Sequence, residues 1–328
     1  MLIGLIYCTA MVAAADNLKA KDYANMGMQH AAAFPGLANL CDINSPFKIA
    51  GLRTKRPSNQ DNPKKKKNAS RTIAPTKVFD NLYFVGNGGV SSWVIETSEG
   101  LILVDALKSN GQAKKYIETG MRKLGLNPAD IKYLIVTHGH GDHYGGQEHF
   151  VKNYGVKVVM SDIEWTRLER PRLDIENPRW GVKPKRDISI NDGDVIRLGN
   201  TDVKIHVTPG HTPGTISLLF PVFDQGKKHV VSLWGGTGLN YGPVEDRILE
   251  YSQAAKKFGE HAKQAGVDVY ISNHPKRDGS AEKLKAMQST TKTTQHPFVI
   301  GKEQALKAFE MLHQCTYAQV LRIREGLK

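Results

Sequence analysis

Six consecutive residues carry most of the chemistry legible in this chain: His138-Gly139-His140-Gly141-Asp142-His143. Three imidazoles and a carboxylate this close together gain nothing from solvent, and buried without partners each would lose its hydration. A divalent cation removes that cost, because neutral imidazole and carboxylate are good zinc ligands. The hexad follows the apolar run Tyr133-Leu134-Ile135-Val136, which reads as a strand buried on both faces. Gly145-Gly146, just after it, suit a tight strand-to-helix turn. The ligands would then sit on a loop at a strand's carboxyl end, where open α/β sheets place their sites. A His-rich surface loop is the bland alternative, but the order His-x-His-x-Asp-His after a strand is far more specific than a lone histidine pair.

One hexad cannot close a metal site, so other segments must add ligands. His211 lies in the Pro/Gly-dense turn Thr208-Pro209-Gly210-His211-Thr212-Pro213-Gly214, after the alternating strand Val203–Val207. His274 ends the strand-like run Val267–Asn273 and is followed by Pro275. Both occupy the strand-end context of the hexad, which makes them metal-ligand candidates. A histidine that only bonds its turn, or caps the next helix, is the alternative for each. His30, His149, His206, His229, His261, His296 and His313 lack that context and read as surface or packing residues.

Taken together, the hexad, the Thr208–Gly214 turn and His274 resemble the metallo-β-lactamase superfamily, and details bring the chain closest to the third subclass of zinc-dependent β-lactamases. Those details are Asn44-Ser45-Pro46-Phe47-Lys48-Ile49, Asn81-Leu82-Tyr83-Phe84-Val85-Gly86, Thr212-Pro213-Gly214-Thr215, Ser272-Asn273-His274-Pro275 and His296-Pro297-Phe298-Val299-Ile300-Gly301. The resemblance covers about residues 40–328. It implies an α/β fold, a four-layer αββα sandwich of two similar halves, with two zinc ions per chain at the shared sheet edge. Carried over by position, His138, His140 and His211 would hold the first zinc, and Asp142, His143 and His274 the second. The implied reaction is hydrolysis by metal-activated water, with Asp142 as the catalytic residue that orients it. Asp105, in Leu103-Val104-Asp105-Ala106, is either a partner that fixes a ligand imidazole or a strand-end turn residue.

An absence narrows the expected reaction. Many superfamily members that cleave esters, lactones or thioesters carry an aspartate bridging the metals, on a strand end between the counterparts of His211 and His274. Here that segment reads His229-Val230-Val231-Ser232-Leu233-Trp234-Gly235-Gly236-Thr237, with no acid at its end. This points to a β-lactamase that opens the β-lactam amide, with an exported lactone or ester hydrolase as the alternative. A non-enzymatic metal- or polyanion-binding protein is the third, weakest reading. The same segment departs from the subclass: it puts a large ring, Trp234, and bare backbone near the metals, unless Trp234 packs in the core.

Length and composition allow one large catalytic unit: 328 residues, 40% of them hydrophobic. No apolar run has transmembrane length, and a small-molecule substrate and a monomer are expected. Residues 1–15 carry no charge and end Val12-Ala13-Ala14-Ala15, like a secretory signal with a small-residue cleavage site, which implies a periplasmic or secreted protein. Residues 16–80 read as an N-terminal arm and 81–328 as the catalytic domain. Of the net charge of +13, much sits in Arg53-Thr54-Lys55-Arg56 and Lys64-Lys65-Lys66-Lys67, inside a solvated insertion over about 52–73. No aromatics interleave with these lysines, so no specific nucleic-acid binding is expected. Cys41 and Cys315 either form a disulfide tying the arm to the last helix or stay free and buried.

The elements expected to position these residues are strands near 81–86, 91–96, 101–104, 133–136 and 156–160 in the first half. Strands near 194–198, 203–207, 216–220, 229–233 and 268–272 follow in the second. Helices are expected near 110–124, 145–153, 244–265, 280–288 and 302–325, the last with Ala305, Ala308, Phe309, Leu312 and Cys315 on one face. Residues 162–186 read as an irregular loop over the cleft, whose Trp165 and Trp180 either touch substrate or pack.

Overall fold

The computed structural model describes residues 18–50, 72–173, 175–289 and 295–327. The secretory-type leader, the Lys64–Lys67 run and Asn68-Ala69-Ser70, a possible glycosylation triplet, lie outside the described residues.

Two sheets stack face to face. The first runs, in spatial order, β1 (Thr76–Phe79), β2 (Leu82–Phe84), β3 (Trp93–Thr97), β4 (Gly100–Val104), β5 (Ile131–Ile135), β6 (Lys157–Ser161) and β7 (Ile188–Ile190). It is antiparallel as far as β4 and parallel from β4 to β7. The second, read from its other edge, holds β8 (Val195–Leu198), β9 (Thr201–Val207), β10 (Ile216–Asp224), β11 (Lys227–Trp234) and β12 (Val269–Ser272), with only the β11–β12 pair parallel.

Three apolar clusters define the layers. Phe84, Trp93, Ile135, Ile205, Phe220 and Leu233 fill the space between the sheets. Ile117, Met121, Phe150 and Trp165 bind the outer face of the first sheet to its helices. Tyr251, Phe258, Phe309 and Leu312 do the same outside the second sheet, from the helices Glu245–Ala265 and Lys302–Arg324. This is the helix–sheet–sheet–helix sandwich. It explains why β4 is buried along almost its whole length: a strand covered on both faces cannot alternate. Strand β9 alternates because its outward residues Asp202 and Lys204 reach solvent.

Several elements differ from the sequence reading. The first sheet takes its edge strand β1 from residues 76–79, ahead of position 81, and the arm also folds a helix, Ala20–Met28, onto the last helix, with Tyr23 against Tyr317. Residues 162–186 are not irregular throughout: Asp162–Leu168 is a helix, and β7 follows at 188. Cys41 and Cys315 are joined by a disulfide, which links the arm to the last helix. No described helix is long and apolar enough to cross a membrane.

Candidate metal centre

Strands β4, β5 and β6 run parallel, so their carboxyl ends open on one edge of the first sheet. In the second sheet β9, β11 and β12 point the same way, because β10 is antiparallel to both β9 and β11. The two edges are stitched together: the Ile216 amide donates to the Thr137 carbonyl (2.9 Å), and the Ser91 amide to the Asn273 carbonyl (2.9 Å). The hexad after β5, the turn after β9 and the residues after β12 therefore meet.

The meeting forms two adjoining groups, His138, His140 and His211 in one, and Asp142, His143 and His274 in the other, with ligand atoms in each lying within 4.8 Å of one another. In the first, His211 Nε2 lies 3.1 Å from both His138 Nε2 and His140 Nδ1. The outer nitrogens are held where acceptors allow only one tautomer. His211 Nδ1 donates to the Gly238 carbonyl (2.6 Å), His274 Nδ1 to the Gly89 carbonyl (2.7 Å), and His143 Nδ1 to Asp105 (2.7 Å). Each of these three rings thus turns its Nε2 toward the centre. His143 Nε2 and His140 Nε2 are buried without a hydrogen-bond partner. Converging lone pairs with orphaned ring nitrogens are an arrangement that a cation stabilises and that no internal hydrogen-bond network satisfies. The donor chemistry, five imidazoles and one carboxylate, suits zinc.

The protonation states of the three-histidine group agree with this. Burial, then the neighbouring histidines, hold His138 and His140 well below the ordinary imidazole value, and burial pushes His211 down to about 3. Burial also lowers His274, with His143 adding to it. For His143, burial acts downward but the Asp105 and Asp142 charges override it, so its pKa rises. Burial alone would raise Asp142, yet His143 and His274 bring it below the usual carboxylate value. The first group is therefore poised as neutral imidazoles and Asp142 as a carboxylate.

Asp105 is built into this arrangement. Its backbone takes a left-handed φ of 59°, uncommon for a residue with a Cβ. Its carboxylate accepts from the Thr137 amide (2.8 Å), the Thr137 hydroxyl (3.0 Å) and His143, which ties the end of β4 to the hexad. Of its two readings, the geometry favours the partner that fixes a ligand imidazole. The histidines set aside in the sequence analysis have other duties: His149 pairs with Glu118, His229 with Asp268, and His206 stacks on His261.

At the end of β11, the core reading of Trp234 holds and the substrate reading does not. The Trp234 ring does not lie beside the ligands; it is buried among Tyr251, Phe258 and Phe309 and donates to the Gly236 carbonyl (2.6 Å) and the Tyr251 hydroxyl (2.9 Å). The bare backbone is what lies near the site. A Cβ at Gly236 would meet the His211 Cβ at 2.5 Å, and one at Gly235 the Ile216 carbonyl oxygen at 1.8 Å. The close approach leaves no room for an acid at either position without displacing its neighbours. Trp165 is a core residue whose indole donates to the Ile188 carbonyl (2.9 Å). Trp180, by contrast, lies 6.2 Å from the His140 ring and, with Asp142, His274, Lys108, Tyr116 and Arg179, lines an open cleft of about 510 Å³. Sequence reasoning missed Lys108 and Arg179, which carry no local signal, and Glu164, whose signal was present: Ser161-Asp162-Ile163-Glu164 has the Ser-x-x-Glu form of a helix N-terminus.

Residues 85–222 match the family model of the metallo-β-lactamase superfamily, and the chain carries a domain of that superfamily. Among solved structures, a subclass B3 metallo-β-lactamase of Bradyrhizobium japonicum superposes with a TM-score of 0.63 at 27% identity, covering 80% of this chain and 99% of that one. Sequence similarity leads elsewhere. A hydroxyacylglutathione hydrolase of Chelativorans sp. (strain BNC1) is 24% identical over 63% of this chain and 77% of its own length. An acyl-coenzyme A thioesterase of Gallus gallus is 25% identical over 65% and 81%. Other matches are shorter, spanning 34% and 63% of the relatives concerned. Over residues 85–222 the chain thus carries a metallo-β-lactamase superfamily domain, and its two candidate metal-ligand groups lie within that fold.

Proposed function

We propose that this hydrolase opens the amide bond of β-lactams, with zinc bound by His138, His140 and His211 in one position and by Asp142, His143 and His274 in the other. The observation that carries the reading is the glycine pair after β11. Gly235 and Gly236 fill the strand end where a bridging acid would stand, and Asp142 is the one carboxylate in the two ligand groups among the described residues. The superposition with a subclass B3 enzyme over 80% of the chain supports it. When bound, zinc supplies an activated water at neutral pH and positive charge for the oxygen and nitrogen of the breaking bond. The protein does the rest. Asp142, ionised, offers an oxygen to orient the attacking water and accept its proton. Asp105 holds the His143 ring in place. Lys108 and Arg179 make the cleft wall cationic, which suits a substrate that carries a carboxylate. We also place the protein in an oxidising compartment, periplasmic or extracellular, a reading that the Cys41–Cys315 disulfide supports.

A thioester hydrolase is the second reading, favoured by the hydroxyacylglutathione hydrolase and thioesterase relatives. Assaying zinc-loaded protein against a penicillin, a carbapenem, a lactone and an acylglutathione thioester separates the two. Turnover of at least one β-lactam above the other substrates is expected, abolished by a chelator and restored by zinc. Ready thioester or lactone turnover with all β-lactams untouched would leave only the zinc-hydrolase assignment. Activity that survives exhaustive chelation would remove that too.

A further inference from the structure

The helix Asp162–Leu168 begins directly at the end of β6, and its first turn sends Glu164 into the protein, where only 1% of the residue is exposed. Both carboxylate oxygens accept backbone N–H groups, and these belong to two different loops. Oε2 accepts from Gly139 (2.6 Å), which lies between His138 and His140; Oε1 accepts from Gly214 (2.9 Å), in the turn that carries His211. The junction is reinforced on each side. Ser161 Oγ donates to the Gly214 carbonyl (2.6 Å) while accepting from the Glu164 amide (3.1 Å). The Arg167 guanidinium donates to the Gly139 carbonyl (3.3 Å) and lies 3.5 Å from Glu164. Both loops pass too close for a side chain at these points: a Cβ on Gly139 would stand 2.4 Å from Glu164 Oε2, and one on Gly214 2.5 Å from Ser161 Oγ.

A buried Glu–Arg pair is a poor source of stability, since desolvating two charges offsets most of their attraction. It does fix positions. The hexad hangs from the first sheet and the His211 turn from the second, and the two 3.1 Å separations in the three-histidine group depend on how those loops are spaced. We infer that Glu164 is a positioning residue for the three-histidine site, a single carboxylate that sets the distance between the two loops supplying its ligands. The other group has separate anchors: Asp105 on His143 and the Gly89 carbonyl on His274. Glu164 therefore acts on one site and not the other.

The test uses that selectivity. In a His274→Ala background zinc affinity reports the three-histidine site, and in a His140→Ala background it reports the Asp142–His143–His274 site, each by competition with a chromogenic chelator. Glu164→Gln keeps volume but leaves one acceptor oxygen for two N–H donors, so one loop loses its tie. Affinity should fall by about 10–100-fold in the first background, the range seen when groups that orient metal ligands are removed, and stay unchanged in the second. Ser161→Ala, which removes the bond to the Gly214 carbonyl and the cap on the Glu164 amide, is read the same way if Glu164→Gln does not fold. Equal losses in both backgrounds, tracking a lower melting temperature of the metal-free protein, would reduce the junction to a structural role and overturn the inference. No loss in the first background would overturn it as well.

Discussion

At the scale of single residues, the site rests on hydrogen bonds that choose tautomers. Asp105 is the clearest case, because its carboxylate serves the Thr137 backbone and the His143 ring at once, from a left-handed backbone position. Asp105→Asn presents an amide with one oxygen and two donors, and so cannot accept all three bonds. The expected outcome is weaker zinc at the Asp142–His143–His274 site by about 10–100-fold, with the three-histidine site retained. Zinc titration of the His140→Ala and His274→Ala backgrounds measures each; a variant that loses both sites together would contradict the assignment. The residue scale also decides between the two readings of Trp234. Sequence places the ring beside the metal segment, but strand pleat and the Tyr251 hydroxyl turn it outward into the helix layer, leaving two glycines at the site.

Among the elements, the last helix carries more than its own face. Phe309 and Leu312 pack on the outer side of the second sheet, and Cys315 is bonded to Cys41 across a separation of 274 residues. Closing so long a loop restricts the unfolded chain far more than the folded one. Cys315→Ser should therefore lower stability to denaturant by about 2–4 kcal/mol. Zinc affinity should hold, since the disulfide lies in the outer cluster, away from both ligand groups. Urea unfolding and zinc titration of the same variant check both parts; unchanged stability would argue against a cross-link in the folded protein. The helix Asp162–Leu168 teaches a related lesson. Its Ser161 cap was legible, but seven residues between a strand and an Arg- and Pro-rich stretch give too short a period to separate from loop.

For the whole molecule, the consequence of gathering histidines in a closed edge is a pH dependence. The folded-state values of His138, His140, His211 and His274 are lowered, that of His211 to about 3 and that of half-buried His206 to about 4. Across the window from about 6.5 down to those values the unfolded chain binds more protons, so stability is full above 6.5 and lost as pH falls through it. His143 opposes this, its raised pKa favouring the fold at lower pH, and so does Asp278, which burial raises to about 6. The lowered groups outnumber them. Metal-free protein should accordingly melt at progressively lower temperature from pH 7 to pH 4. A flat or rising profile, measured by circular dichroism without metal, would show that these imidazoles are not buried neutral. With zinc bound the acid sensitivity should steepen, because protons then compete with the metal.

What the sequence determined by itself was everything local. Strand and helix periods placed most elements, and the His-x-His-x-Asp-His order with two strand-end histidines singled out the six residues that the fold gathers into two groups. Such signals survive because each depends on a few neighbouring residues whose backbone state the chain writes repeatedly. The tertiary structure alone decided the rest. It paired Cys41 with Cys315, turned the Trp234 ring away from the site, and drew the arm's strand β1 into the first sheet. It also put Glu164 on backbone groups 25 residues before it and 50 residues after it, and brought Lys108 and Arg179 to one cleft. These contacts join segments far apart in the chain. Their energies arise from packing and exclusion of water, which no periodicity records, and they exist only once both sheets have closed on their shared core.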